Sequence, residues 1–313
     1  MKLFKDILNG NVSALSKGIT LVESSLNKDK ILANKLIKLC LPKSGKSIRI
    51  GITGVPGVGK STFIETFGKH LTNIGKKVAV LTIDPSSEKT KGSILGDKSR
   101  MNQLAIDKNA FIRPSPNNGV LGGINNKTKE SIILCEAAGF EVIIIETVGS
   151  GQSEISASNL TDFLLLLVLS GAGDELQGIK RGIMEKADMV AITKSDGDNI
   201  QNALESSLNY KRALHFFNEK NNGWNPKVIT CSAFKNIGIK NIYKTILEFD
   251  TKVSNSGWKN INRNQQKIYW LHSDIKNELG NKKYHEFIEN GKIKFLEKKC
   301  LSGDTNFEIV SNI

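Results

Sequence analysis

Short apolar runs alternate with longer amphipathic stretches through the middle of this chain. Runs rich in Val, Ile or Leu predict β-strands at residues 47–52, 77–84, 141–146, 163–169, 188–193 and 227–231. Helical patterns lie between them at residues 127–138, 175–187 and 200–217. Several runs are apolar nearly throughout, as strands covered on both faces should be. The pattern predicts an α/β fold: a doubly wound, mostly parallel sheet.

Both ends of the chain show helical patterns only. Asn11 can cap a first amphipathic segment, and residues 265–279 carry apolar side chains three and four positions apart. We therefore predict an N-terminal helical extension at 1–46, an α/β domain at 47–250 and a C-terminal helical extension at 251–313. The C-terminal helices either pack on their own domain or pair with a second subunit, which would make a homodimer.

The composition is typical of a soluble globular protein, with 39% apolar and 24% charged residues. The formal net charge is +13, but the lysines are spread along the chain without an arginine-rich arm or an aromatic-interleaved basic stripe. This favours a solvated lysine surface over nucleic-acid binding, with an acidic partner as the alternative.

Candidate metal, disulfide and membrane signals are weak in this sequence. Its four Cys and four His are widely separated, which argues against a zinc site and a disulfide framework. The first ten residues do not resemble a signal peptide, and the longest apolar run, residues 163–169, is too short to span a membrane. We expect a cytoplasmic protein without a membrane partner.

Residues 54–62 (GVPGVGKST) match the phosphate-loop pattern GxxxxGK[ST]. They follow a predicted strand and precede a predicted helix, the order that the motif requires. Backbone N–H groups of such a loop cradle phosphates, Lys60 is predicted to reach the β- and γ-phosphates, and the Ser61 hydroxyl is predicted to bind Mg²⁺. The predicted cradle comprises Gly54, Val55, Pro56, Gly57, Val58, Gly59, Lys60, Ser61 and Thr62. The segment predicts binding of a nucleoside triphosphate.

Acidic residues end two of the predicted strands. Asp84 is a candidate to hold a magnesium-bound water or to orient the attacking water, although an Asp after a strand can also be a helix cap. Glu146 ends an apolar strand in a Walker-B-like arrangement, which would place its carboxylate next to the metal. In the loop that follows, Gly149 is placed for its N–H to sense a γ-phosphate.

Two further loops predict which base is bound. Residues 193–196 (TKSD) resemble the NKxD element of GTPases, with Thr193 in place of the usual Asn. The Asp196 carboxylate would accept hydrogen bonds from the two N–H groups of guanine, a donor pair that adenine lacks, and Lys194 belongs to the same element. The second guanine-contacting loop is predicted at Ser232, Ala233 and Phe234. Together these loops predict GTP and GDP rather than ATP.

Six segments of the chain are similar to the MeaB/ArgK family of phosphate-loop GTPases. They are GVPGVGKST (54–62), IDPSS (83–87), GSILGDKSRM (92–101), NAFIRPSP (109–116), ETVGSGQSE (146–154) and GAGDELQGIK (171–180). The resemblance implies a GTPase that acts as a chaperone of methylmalonyl-CoA mutase or another adenosylcobalamin-dependent acyl-CoA mutase. Nucleotide state would gate cofactor loading and protection or rescue of the mutase.

The resemblance also implies roles for individual residues. Asp84, Asp97 and Glu146 match acidic positions around magnesium and its waters, while Gln177 and Lys180 match a mobile switch that bears on partner-stimulated hydrolysis. Lys180 would then stabilise charge on the phosphates, whereas the helical pattern alone favours a solvated surface lysine. The tail from about residue 280 matches the family poorly.

Two other functions remain open from the sequence. A metabolite kinase on the same fold would use Asp84 as a base, but it needs an arginine-rich lid, and Arg100, Arg113 and Arg181 do not cluster. A metallochaperone would need His-rich or Cys-x-Cys segments, which this sequence lacks. No histidine lies in a DxHxxG segment, so we expect the chain to serve a cobalamin protein rather than to hold cobalamin itself.

Overall fold

The computed structural model describes residues 2–84, 101–116, 127–147, 157–170, 181–217 and 219–313. Contacts divide the chain into two compact units. One comprises Ile48–Asn125 and Phe140–Trp258, and the other comprises Met1–Ser47, Asn126–Gly139 and Lys259–Ile313. In the part of the chain that the structure describes, every helix is too short or too polar to cross a membrane.

A parallel β-sheet forms the centre of the first unit. Its strands within the described residues are β1 (Ile48–Gly54), β2 (Val78–Asp84), β3 (Ala110–Pro116), β4 (Val142–Glu146), β5 (Phe163–Leu169), β6 (Met189–Thr193) and β7 (Lys227–Thr230). The strand order is β3-β2-β4-β1-β5-β6-β7, and each pair of neighbours is parallel. The predicted α/β fold with a parallel sheet is confirmed.

The edge strand β3 was absent from the sequence-based prediction. It pairs with β2 along its whole length, from Val78↔Ala110 to Asp84↔Pro116. Proline at residues 114 and 116 removes two backbone donors, and proline in a sheet is confined to edge strands and bulges. The run therefore has a weak strand signal, although Phe111 and Ile112 are buried.

Helices account for most of the remaining described residues. In chain order they are α1 (Lys2–Leu8), α2 (Val12–Glu23), α3 (Asn27–Cys40), α4 (Lys60–Asn73), α5 (Asn102–Ala105), α6 (Thr128–Ala137), α7 (Arg181–Lys186), α8 (Ile200–Leu214), α9 (Ile239–Asn255), α10 (Trp258–Glu289), α11 (Lys292–Ser302) and α12 (Asn306–Ser311). Short 3₁₀ turns lie at Leu41–Lys43 and Gly197–Asn199.

Strand β5 shows why the sheet is covered on both faces. Phe163, Leu165 and Leu167 belong to a core that includes Phe63 and Phe67 of α4 and Phe249 of α9. Their neighbours Leu164, Leu166 and Val168 belong to a second core with residues of α7 and α8. Because successive side chains of a strand point to opposite faces, an uninterrupted apolar run serves both cores.

The other unit is helical and contains α1–α3, α6, α11, α12 and nearly all of α10. Part of its core joins Leu271 and Ile275 of α10 to Leu296 of α11 and Ile309 of α12. Gly280 interrupts α10, with φ 74° and ψ 169°, so the polypeptide turns there. The prediction of helical extensions at both ends is confirmed, and α6, which lies between β3 and β4 in sequence, joins them in this unit.

Candidate functional site

The loop between β1 and α4 depends on glycine backbone geometry. A Cβ atom at Gly54 would lie 2.4 Å from the Leu167 carbonyl oxygen, so only glycine allows this close approach to β5. Gly57 and Gly59 have φ values of 83° and 95°, in the left-handed region, and Gly59 directly precedes α4. The loop thus ends at a helix N-terminus, where unpaired N–H groups and the helix dipole favour an anion.

The two chemically active side chains at the start of α4 contact different groups. Lys60 Nζ donates hydrogen bonds to Gly54 O (2.7 Å) and Val55 O (3.3 Å). Ser61 Oγ donates to Glu146 Oε1 at 3.2 Å. Glu146 is buried at the end of β4 and pairs in register with Ile52 of β1. The parallel sheet therefore places a hydroxyl and a carboxylate side by side beside the glycine loop.

Several predicted residues cannot be placed at this site. Asp97, Gly149, Gln177 and Lys180 lie outside the described residues. The backbone of Asp84 ends β2, one strand from Glu146, but its side chain is also outside the description. Their roles stay predictions. In the described residues, no group of three or more His, Cys, Asp or Glu side chains has the arrangement of a metal site.

The loop after β6 is hydrogen-bonded to the glycine loop. Thr193 Oγ1 lies 3.0 Å from Val58 O and 3.2 Å from Val168 O. Lys194, in the left-handed region with φ 55°, donates from Nζ to Gly57 O at 3.2 Å. These contacts bring residues 193–194 together with the predicted phosphate cradle, and they give the unusual threonine a structural role.

Asp196 is half-buried and is followed by the 3₁₀ turn Gly197–Asn199. Asn199 organises this turn: its Nδ2 donates to Lys194 O (2.8 Å) and to Ser170 Oγ, and its N–H donates to Asp196 O (3.2 Å). The N–H of Ser195 donates to Cys231 O at 3.0 Å, which ties the loop to the end of β7. Sequence reasoning missed Asn199, because no motif in the surrounding residues marks an Asn at the end of a short turn as important.

The loop after β7 is closed by its own backbone. Ser232 and Ile237 exchange two backbone hydrogen bonds of 3.0 and 2.9 Å, and Lys235 N donates to Ser232 Oγ at 3.1 Å. Gly238, directly before α9, has φ 78°, and a Cβ there would meet Thr230 O at 2.5 Å. The Phe234 side chain is 82% exposed at the tip of the loop.

Cys231, directly before this loop, is a core residue. Its side chain is fully buried, and burial raises the pKa of its thiol to about 12. A thiol with such a pKa stays protonated at neutral pH and is a poor nucleophile and metal ligand.

The fold and the site together define a class of protein. A glycine loop leads from the first strand into a helix that carries Lys60 and Ser61, at the carboxyl edge of a parallel sheet. The loops after β6 and β7 are hydrogen-bonded to each other and to this helix and loop. This arrangement is that of a phosphate-loop nucleotide-binding protein.

Comparison with known proteins identifies the family within this class. The chain belongs to the family described as methylmalonyl-CoA mutase-associated GTPase MeaB, whose model matches residues 15–287. It is a phosphate-loop GTPase that binds guanine nucleotide, as the sequence predicted.

Relatives of known sequence cover most of the chain. The chain is 46% identical over 272 residues to GTPase ArgK of Escherichia coli (strain K12), which covers 87% of this chain and 82% of the relative. It is 44% identical to the mitochondrial methylmalonic aciduria type A homolog of Mus musculus, over 96% of this chain and 75% of the relative. A crystal structure described as LAO/AO transport system kinase is 34% identical, with a TM-score of 0.77, and covers 99% of this chain and 96% of that one.

Proposed function

We propose that this protein hydrolyses GTP with Mg²⁺ as a chaperone of an adenosylcobalamin-dependent acyl-CoA mutase of the methylmalonyl-CoA mutase type. Its nucleotide state gates loading of adenosylcobalamin and protects or reactivates the mutase. The family match over residues 15–287 carries this proposal, because the family is described by its association with methylmalonyl-CoA mutase. The name of the mouse relative, taken from methylmalonic aciduria, adds support.

Lys60 is the proposed ligand of the β- and γ-phosphates. Its ammonium group contacts two neutral carbonyl oxygens of the loop, Gly54 O and Val55 O. The donor is charged in both cases, but phosphate oxygens also carry negative charge and so add a direct attraction between opposite charges. The ammonium group therefore gains by turning from the loop to the nucleotide, while the loop N–H groups supply the remaining donors.

Ser61 and Glu146 are the proposed centre of the magnesium site. Their oxygens lie 3.2 Å apart, and a hydroxyl beside a carboxylate fits the oxygen ligands and water-bridged contacts that Mg²⁺ prefers. Asp84 and Asp97 are proposed to complete the acidic surroundings. When bound, Mg²⁺ would neutralise the negative charge that develops on the phosphates. The backbone of Glu146 is positioned by strand pairing, opposite Ile52 of β1 and Thr82 of β2.

Asp196 is the proposed guanine reader. Its carboxylate follows β6 directly, on a turn that Asn199 fixes, and Thr193 and Lys194 hold the same loop against the phosphate cradle. Ser232, Ala233 and Phe234 are proposed to contact the base from the neighbouring strand. The hydrogen bond from Ser195 N to Cys231 O links the two loops and so the two sides of the proposed base site.

The remaining predicted residues are proposed to control turnover. Gly149 senses the γ-phosphate, and Gln177 and Lys180 form a switch that the mutase brings into the site. A lysine ammonium near the transferred phosphoryl group lowers the barrier in the way an arginine finger does. We place the protein in the cytoplasm as a homodimer. Exposed apolar side chains in the C-terminal helices, such as Tyr269 and Phe295, support the dimer, and a monomer in sedimentation velocity would contradict it.

The proposal is tested by measuring GTP hydrolysis with and without the acyl-CoA mutase encoded in the same genome. We expect a slow basal rate that rises on adding the mutase, and loss of both rates in Lys60→Ala. Lys180→Ala should keep the basal rate and lose the stimulation. A mutase that leaves the rate unchanged contradicts the chaperone role. Transfer of phosphate to a small metabolite would instead support the kinase reading, which the name of the crystallised neighbour suggests.

A further inference from the structure

The hydroxyl of Thr66 connects the helix that starts the phosphate site with the loop after β7. Thr66 lies in the second turn of α4, six residues after Lys60, and its Oγ1 donates to Ala233 O at 3.0 Å. A threonine in a helix can direct its hydroxyl to a carbonyl one turn back; this hydroxyl instead reaches another element. We propose that Thr66 is a positioning residue for recognition of the guanine O6 atom. The inference rests on the proposed guanine site.

The hydrogen bond from Thr66 orients the single peptide group between Ala233 and Phe234. The Ala233 carbonyl and the Phe234 N–H belong to the same planar trans peptide unit, so they point in opposite directions. The carbonyl accepts from Thr66 Oγ1 and, at 3.3 Å, from Asn236 N. Fixing the carbonyl toward α4 therefore fixes the Phe234 N–H on the side away from α4.

Two backbone N–H groups in the described part of this loop are available to bind a ligand. Ser232 N, Lys235 N, Asn236 N and Ile237 N are all used within the loop. Among the described residues, the N–H groups of Ala233 and Phe234 form no hydrogen bond. Two adjacent backbone donors suit the carbonyl O6 of guanine, whereas the amino group of adenine at that position would oppose them.

Different atoms of the base are thus read by separate groups. Asp196 is an acceptor and suits the ring N–H and amino group of guanine, while the Ala233–Phe234 peptide is a donor and suits O6. Thr66 touches only the second reader. Loss of its hydroxyl should therefore weaken binding of a nucleotide with O6 and should spare a nucleotide that lacks O6 but keeps the amino group.

The experiment compares GDP with the diphosphate of 2-aminopurine riboside, which lacks O6 and the N1 proton but keeps the amino group. The affinity of Thr66→Val for each nucleotide is compared with that of wild type for the same nucleotide, so the missing N1 proton affects both proteins alike. Valine matches threonine in shape and has a similar helix propensity. We expect GDP affinity to fall about three- to tenfold, in line with loss of one net hydrogen bond, and affinity for the analogue to stay within about twofold. Thr66→Ser keeps a hydroxyl and should restore GDP affinity.

A matched control is available on the same helix. Thr72 Oγ1 lies 2.7 Å from Asp107 Oδ2 and 3.2 Å from Lys69 O, so its single proton serves one of these acceptors, away from the base loop. Thr72→Val should therefore leave GDP affinity unchanged. Equal losses for GDP and the analogue in Thr66→Val, or no loss for either, would overturn the positioning role. If Thr66→Val unfolds in urea too early for titration, Thr66→Ala takes its place. A wild-type protein that binds GDP no better than ADP would instead defeat the guanine site itself.

Discussion

Replacing Thr193 by valine should loosen the phosphate loop while keeping the shape of the core. Thr193 is 5% exposed, and its single hydroxyl proton serves Val58 O at 3.0 Å or Val168 O at 3.2 Å. Valine occupies the same volume but cannot donate. The substitution therefore removes a hydrogen bond from the glycine loop without creating a cavity.

The size of the effect follows from burial. Val58 and Val168 are 0% and 1% exposed, so solvent does not replace the lost donor. A net hydrogen bond contributes about 0.5–1.5 kcal/mol, and a buried polar group left without its partner costs about 1–3 kcal/mol. The added methyl group recovers part of this loss. We expect the free energy of unfolding to fall by about 1–2 kcal/mol and GDP affinity to fall about five- to tenfold.

Urea unfolding followed by tryptophan fluorescence gives the first quantity, and titration with a fluorescent GDP analogue gives the second. Thr193→Ser and Thr193→Asn both retain a donor and should restore most of the affinity. Thr82→Val is a matched control, because Thr82 is 2% exposed and its hydroxyl has no hydrogen-bond partner in the described part of the chain. If Thr193→Val keeps wild-type stability and GDP affinity, the hydrogen bond from Thr193 does not hold the phosphate loop in place.

Two further substitutions test the account at other points. Asp107 accepts hydrogen bonds from Lys69 and Asn109 N, which lower the pKa of its carboxyl from 3.8 to about 2. Its stabilisation of about 2 kcal/mol is present above pH 4 and is lost as pH falls toward 2, so Asp107→Asn should differ from wild type in urea unfolding at pH 7 and approach it as pH falls from 4 to 2. A difference that stays constant over this range would contradict the ion pair. Asp196→Asn should let xanthosine diphosphate compete with GDP in displacement titrations, and an unchanged preference for GDP would show that another group reads the base.

Sequence patterns sufficed where one segment contains the whole signal. The runs of β4 and β5 are buried except at Leu169, the last residue of β5, so their composition alone identifies them. The phosphate loop was found in the same way, since its glycines, Lys60 and Ser61 are contiguous. The edge strand β3 was missed because its prolines weaken the strand pattern, and its pairing with β2 cannot be seen in the sequence.

Contacts between distant segments could not be read from the sequence. Thr66 and Ala233 are 167 residues apart, and Thr193 and Val58 are 135 apart. The residues next to a threonine in a helix or at a strand end do not indicate which distant group accepts its hydrogen bond. For the same reason Thr193 looked like a weak match to an Asn-based motif, although its hydroxyl contacts the glycine loop. Parallel strands bring such groups to one edge only once the strand order is known.

The central claim is that the phosphate loop holds a nucleotide whose base is checked for guanine. Isothermal titration of the wild-type protein with GDP and with ADP, each with Mg²⁺, tests it most directly. The account predicts a saturable one-to-one signal for GDP and none for ADP at the same concentrations. Equal binding of the two nucleotides, or no heat with GDP from folded protein, would contradict it.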